Sequence, residues 1–413
     1  MKAYNETYYT KPIAMNMVED NGKIWMSLLN RNGICEIDKV RGEARICRIF
    51  DGEPYDGKFL YSYVVKVSHY LIFSPWEAKN IAIYNLECDS MIYIPLKKIE
   101  HQNGHYQKIK FWNIIQHNSD VYLLGYDYPA IVKVNLDSRQ VTYITDWVDE
   151  VERNVQSEDI SGYFADGHVI VGNQALISVA CMNAVLELDF ETGNTKIIKI
   201  DVPMGGIGGI ASADGVNIWL VGKRSKTNRV CCWNIRTDRV SEYCIEDEKD
   251  DIYDPFYAPI CTEKKIYFMP ISASAIYEFD VVSKKIVKNR SLDIFLKKEE
   301  NMRMLWWKTL ASRIEKNLLI FINCDDLKWY EYNVTTGEIR NYIVRLEETM
   351  RSIDQFFDAV CLKYKKNNFI IPEKEIPLKY VVNNMELEKK VLWDMDIECL
   401  IGGKIYEQLC RDI

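Results

Sequence analysis

The chain has 413 residues, 48% of them hydrophobic and 27% charged, with a formal net charge of −8. That acidic balance excludes nucleic acid as the main partner, because phosphate recognition needs a basic stripe to displace counterions. No run approaches the ~18 apolar residues that cross a bilayer as a helix. Residues 1–9 lack the apolar centre of a signal peptide, so a cytoplasmic location is expected.

From the N-terminus onward one pattern recurs. An apolar strand leads into a polar turn, then a second strand, a third strand ending in Asp or Asn, another turn and a fourth strand. First strands are expected at Ile13–Val18, Leu60–Lys66, Phe111–Ile115, Gly167–Val171, Gly208–Ser212, Phe256–Ile260, Trp306–Leu310 and Phe357–Cys361. The third strands end at Asp38, Asn85, Asn135, Asp189, Asn234, Asp280, Asn333 and Asn383, spaced 45 to 54 residues apart. A short Asp or Asn side chain bonds backbone N–H groups two residues on, and so opens a hairpin turn. The Asn333-x-Thr335 sequon belongs to such a turn and reads as turn chemistry rather than a glycosylation site.

Four strands per unit at a fixed period of this length give an all-β fold, a β-propeller. Eight units predict eight blades, or seven if the first or last unit is not a separate blade. Two connections interrupt the strand pattern, both between the fourth strand of one unit and the first of the next. Asp146–Val155 has helical apolar spacing, and Leu292–Leu305 sets apolar residues around Lys297-Lys-Glu-Glu300. Both insertions therefore fall on one face of the disk, the face where loops commonly bind ligands. The tail, residues 394–413, departs from the repeat, and its apolar residues fit one helix face. The expected division is a propeller over residues 1–393 and a helical tail packed on it.

Twelve cysteines show no Cys-x-x-Cys spacing, which removes the main support for zinc or redox motifs. They scatter through apolar strands, so neither metal nor disulfides are expected. The run Gly205-Gly-Ile-Gly-Gly209 is followed by a strand rather than a helix, so it is no dinucleotide fingerprint. Glycines at a first strand instead permit close packing at the axis or leave room for a ligand. The acidic stretch Glu242–Asp254 lacks calcium-loop spacing and reads as a solvated loop. No cofactor motif and no catalytic constellation stands out.

One candidate site comes from the architecture. First strands line the axis, and aligning the units places Tyr61, Trp112, His168, Tyr257, Trp306, Lys308 and Asp358 near one channel mouth. Aromatics with a cation, an acid and an imidazole suit a protein side chain or a small polar ligand. The same aromatics would serve equally well as packing between blades.

In length and strand order the units, from Ile13 to Trp393, resemble those of the kelch and WD-repeat propeller superfamily. The Gly-His and Trp-Asp pairs of WD repeats are absent, and a kelch-like Gly-Gly occurs in one unit. The resemblance implies the fold and leaves the activity open. The reading that follows is a non-enzymatic cytoplasmic binding scaffold using one face of the disk. The alternative is an enzyme or sensor for a small polar or sugar-like ligand, with His168, Lys308 and Asp358 at work.

Overall fold

Every third-strand Asp or Asn in the described part of the chain closes its hairpin as its chemistry requires. The structure, a computed structural model, describes residues 11–39, 41–54, 57–99, 109–155, 162–223, 228–246, 254–293 and 307–347. Asp38 Oδ1 accepts the Arg41 N–H, and Asn85 Oδ1 those of Glu87 and Cys88. Asn135 Oδ1 accepts from Ser138, and Asp189 Oδ1 from Glu191 and Thr192. Asn234, Asp280 and Asn333 each accept from the second and third residues after them. The eighth repeat, with Asn383, and the tail lie outside the described residues.

These hairpins build consecutive four-stranded antiparallel meanders. The first holds β1 (Val18–Asp20), β2 (Lys23–Ser27), β3 (Ile34–Asp38) and β4 (Glu43–Arg48). The second holds β5 (Tyr61–Val67), β6 (Tyr70–Pro75), β7 (Asn80–Asn85) and β8 (Ser90–Pro95). The third holds β9 (Phe111–His117), β10 (Asp120–Gly125), β11 (Ile131–Asn135) and β12 (Val141–Ile144). The fourth comprises β13 (Phe164–Val171), β14 (Gln174–Val179), β15 (Ala184–Asp189) and β16 (Thr195–Lys199). The fifth comprises β17 (Ile207–Ala211), β18 (Asn217–Gly222), β19 (Arg229–Asn234) and β20 (Arg239–Cys244). The sixth comprises β21 (Ile260–Cys261), β22 (Lys265–Phe268), β23 (Tyr277–Asp280) and β24 (Lys285–Lys288). The seventh comprises β25 (Thr309–Glu315), β26 (Leu318–Asn323), β27 (Trp329–Asn333) and β28 (Ile339–Tyr342). A further strand, β29 (Arg345–Glu347), pairs in parallel with β4 of the first meander. The fourth and fifth meanders merge into one eight-stranded sheet through a parallel contact at Asp166 and Gly209. The arrangement is a β-propeller.

Helix is scarce among the described residues: α1 (Val148–Asn154) and α2 (Arg290–Asp293). The first falls inside the insertion expected to be helical. It buries Val151 beside Trp147, which packs against Phe164 with ring centroids 4.5 Å apart. The second begins the other insertion, and residues 294–306 lie outside the described part.

The core is divided among the spaces between meanders. One cluster joins the first and second (Trp25, Phe50, Tyr61, Phe73), and another the second and third (Ile72, Ile83, Phe111, Val121). A single cluster holds residues of the sixth, seventh and first together, including Tyr267, Leu310, Phe321, Met26 and Ile37. Polar contacts follow the same neighbours. Arg313 Nη1 donates to the Met17 carbonyl at 3.1 Å, Lys39 lies 3.5 Å from Glu315, and the Lys11 ammonium donates to the Asp326 carbonyl at 2.7 Å. The residue after the turn Asp or Asn recurs in this role: Phe190 stacks on His117 of the preceding meander, 4.0 Å between ring centres, and Lys39 occupies the same sequence place.

Several innermost strands carry an irregularity in register. It occurs between Tyr61 and Tyr63, Phe164 and His168, Ile207 and Gly209, and Leu310 and Arg313. On β9, Leu124 faces Asn113 while Gly125 faces Phe111, which leaves Trp112 as the extra residue. Such bulges bend a strand and re-aim its side chains.

Candidate functional site: an aromatic cap over an axial cavity

Connections between meanders and the loops between second and third strands emerge on one face of the disk. Five aromatic residues on that face converge. Phe59 precedes β5 and Trp76 follows β6, Tyr126 follows β10 at the place matching Trp76, Trp112 is the second residue of β9, and Trp307 precedes β25. The Trp76 ring lies 5.2 Å from Trp112, 5.2 Å from Phe59 and 6.0 Å from Trp307. Trp112 lies 5.4 Å from Tyr126 and 6.5 Å from Trp307. Rings from the second, third and seventh meanders thus meet at one mouth of the channel. Trp76 is buried, whereas Phe59, Trp112, Tyr126 and Trp307 keep part of their surface open. Tilted and edge-on pairs at these distances are favourable for aromatic quadrupoles. Lys223 extends the cluster, its ammonium 5.8 Å from the Tyr126 ring centre and 2.8 Å from Asp254.

Deeper on the axis lies a cavity of about 180 Å³ lined by Met15, Asn16, Met17, Tyr63, Asp166, Tyr257, Ala258, Pro259, Ile260, Ala311, Ser312 and Arg313. Its lining comes from five meanders. Asp166 is its organising acid. Oδ1 accepts the Tyr63 hydroxyl at 2.6 Å and the Gly167 N–H at 3.0 Å, and Oδ2 accepts the Ala258 N–H at 3.2 Å. One carboxylate therefore pins the second, fourth and sixth meanders across the channel. Burial raises the Asp166 pKa above the usual carboxylate value, although the three hydrogen bonds and Lys223 pull the other way. Burial beside this acid pushes the Tyr63 phenol well up, and burial does the same to Tyr257. The guanidinium of Arg313 reaches Glu315 at 2.6 Å as well as the Met17 carbonyl.

Close approach at the axis explains two glycines. A Cβ on Gly209 would lie 2.6 Å from Ala258 Cα and 2.7 Å from its nitrogen. Gly167, at φ +74°, would place one 2.2 Å from the Ile210 carbonyl oxygen. Of the two roles expected for glycine at a first strand, Gly209 serves close packing.

The residues singled out from sequence fall in different places. Trp112 belongs to the aromatic cap, and Tyr257 lines the cavity. Tyr61 is fully buried between the first and second meanders, its ring 4.1 Å from Phe50. His168 follows Asp166 by two residues on β13. Burial pulls its imidazole down to about 4, so the ring is neutral near pH 7, and its Nδ1 has no hydrogen-bond partner among the described residues. Lys308 joins sixth and seventh meanders through its backbone: its N–H donates to Ile271 O at 3.1 Å and its carbonyl accepts the Cys324 N–H at 2.9 Å. Trp306 and Asp358 lie outside the described residues. The alignment passed over Phe59, Trp76, Tyr126, Tyr63, Asp166 and Arg313. Two of these had a legible signal: an acid and a guanidinium embedded in apolar stretches next to expected first strands.

All nine cysteines among the described residues are free thiols. Among those residues no three His, Cys, Asp or Glu side chains gather in a metal-holding group. No described helix is long and apolar enough to cross a membrane.

No family profile matches the sequence, and no curated protein matches it. Solved structures match the fold. Virginiamycin B lyase from Staphylococcus aureus superposes with a TM-score of 0.54 at 14% identity, over 77% of this chain and 93% of its own. A streptogramin B lyase gives 0.54 at 16% identity, over 75% and 90%. A chain of a mitotic checkpoint complex gives 0.51 at 11% identity, over 82% and 87%. At these identities the likeness is one of fold.

Proposed function

We propose that this chain is a non-enzymatic cytoplasmic binding scaffold that receives a protein partner at the aromatic cap. The observation that carries the reading is the convergence of Phe59, Trp76, Trp112, Tyr126 and Trp307 from three meanders, with four of the five rings partly open. Trp and Tyr are enriched in binding hot spots, because they bury much area for few lost rotamers. The occupant is an apolar or aromatic side chain on a partner segment. Free thiols throughout the described residues suit a reducing compartment.

The pairing of β29 with β4, together with the Arg313–Met17 and Lys39–Glu315 contacts, supports a ring that closes after seven meanders. Seven blades is accordingly the count we propose.

The test is affinity capture from cells of the source organism with the parent chain, Trp112→Ala, Trp307→Ala and, on the opposite face, Val282→Asp. Val282 is 86% exposed in a turn. The reading expects a discrete partner retained by the parent and Val282→Asp and lost from both tryptophan variants. Equal retention by all four would refute it.

A second reading, a sensor for a small polar ligand, is favoured by a separate feature, the axial cavity with its polar lining.

A further inference from the structure

The axial cavity has a lining that its structural role does not explain. Asp166 pins three meanders, and Asn16 and Arg313 join the first to the second and seventh, yet three polar groups of the lining serve no such contact. The hydroxyl of Tyr257, a residue only 6% exposed, has no hydrogen-bond partner among the described residues. Neither have the Ser312 hydroxyl and the Arg313 Nε–H. Buried donors without partners are costly and rare in native proteins, so a cluster of three around one cavity needs a reason. The reason closest at hand is an acceptor-bearing occupant of the cavity. Opposite in charge to this group is Asp166, whose Oδ2 accepts, among the described residues, the Ala258 N–H alone and keeps capacity for another donor.

Size narrows the occupant. A cavity of about 180 Å³ is smaller than the ~300–1,000 Å³ pockets that take drug-sized ligands, and so suits a small molecule. The terminal nitrogens of Arg313 are engaged by Met17 and Glu315, but its Nε–H shares the lining with two hydroxyls, a donor set that suits a carboxylate, and a buried acid with a spare lone pair suits an ammonium. Neither charge dominates the lining, which disfavours a simple anion or a simple cation. Met15, Met17, Ala311 and Pro259 supply a short apolar wall.

We propose that the axial cavity binds a small zwitterion of the amino-acid type, its carboxylate on Arg313, Ser312 and Tyr257 and its ammonium on Asp166. The proposal rests on the ligand-sensing reading and names its ligand class. It is independent of the partner surface at the cap.

The experiment is equilibrium dialysis of the full chain against labelled glycine and alanine, with acetate, ethylamine and glycerol as competitors. Saturable binding of one glycine or alanine per chain, poorly displaced by the competitors, is the expected result. Ser312→Ala and Tyr257→Phe should each weaken it about tenfold, the size of one lost hydrogen bond to a charged group. Neither variant should lower the melting temperature of the ligand-free protein, since each removes a donor that had no partner. Displacement by acetate or glycerol as effective as by unlabelled glycine would overturn the zwitterion assignment while leaving a ligand site standing. No saturable binding of either amino acid, with no melting-temperature rise from any competitor, would leave a water-filled cavity and overturn the ligand-sensing reading too.

Discussion

Replacing Asp166 by Ala should destabilise the propeller more than its single position suggests. The carboxylate accepts three hydrogen bonds, from Tyr63, Gly167 and Ala258. The substitution leaves three donors unmet at the axis, each costing about 1–3 kcal/mol. Removing a buried acid returns part of this, because burial already penalises its charged form. The net loss is about 2–4 kcal/mol, a large share of the roughly 5–15 kcal/mol typical of a folded domain. Tyr63→Phe strips one bond and should cost about 1–3 kcal/mol. Asp166→Asn keeps the shape but turns an amide donor toward either the Tyr63 hydroxyl or the Ala258 N–H. A urea titration followed by tryptophan fluorescence would read these losses as midpoint shifts at constant slope. The Tyr63→Phe and Asp166→Asn pair should couple by at least about 0.5 kcal/mol, as residues in direct contact do. If Asp166→Ala unfolds within about 0.5 kcal/mol of the parent, a limit set by ordinary surface substitutions, the pin across the channel does not exist.

Three further outcomes are expected. His168 is held neutral by burial, with a native pKa of about 4 against 6.5 for the free side chain. The unfolded chain binds the extra proton first, so stability is fully present above pH 6.5 and declines as pH falls toward 4, by up to about 3 kcal/mol. Urea midpoints between pH 7.5 and 4 should therefore slope less in His168→Gln, and identical slopes would contradict the burial. Asn135→Ala removes an acceptor for both the Ser138 N–H and hydroxyl, and a donor to Asp120. It should cost about 1–2 kcal/mol in the same titration, whereas no measurable change would mean the turn forms without it. Gly209→Ala must displace Ala258 backbone and should cost about 1–3 kcal/mol as an overpacked site. A neutral result would show that the fourth, fifth and sixth meanders do not meet so closely.

Much of the fold was legible because its signals are local. Turn residues such as Asn333 and Asp189 act on the next three residues, so their role is written within a few positions. The helical spacing around Val148 and Val151 is equally local. The axis is another matter. Aligning units by position assumes that each first strand keeps a steady alternation, and several do not. The extra residue at Trp112 and the irregularities before Tyr63, His168 and Arg313 shift which side chain faces the channel. Strand limits moved with them. The expected strand at Trp306–Leu310 became β25 from Thr309 to Glu315, which brings Arg313 to the axis. The expected strand at Gly167–Val171 begins at Phe164 and so includes Asp166. In the first unit, Ile13–Met17 are largely buried without joining the ladder, and β1 starts only at Val18. Whether Tyr61 or Tyr63 points inward depends on one inserted residue, and nothing local in the sequence announces it.

The most direct test of the binding surface places a photo-crosslinking amino acid at position 112, within the aromatic cap, and separately at position 282, on the opposite face. Each chain is irradiated in living cells of the source organism. The account predicts a discrete covalent adduct with a partner from position 112, abolished by adding Trp307→Ala, and none from position 282. Adducts of equal yield from both positions, or from position 282 alone, would contradict the assignment of the aromatic cap as the surface that binds.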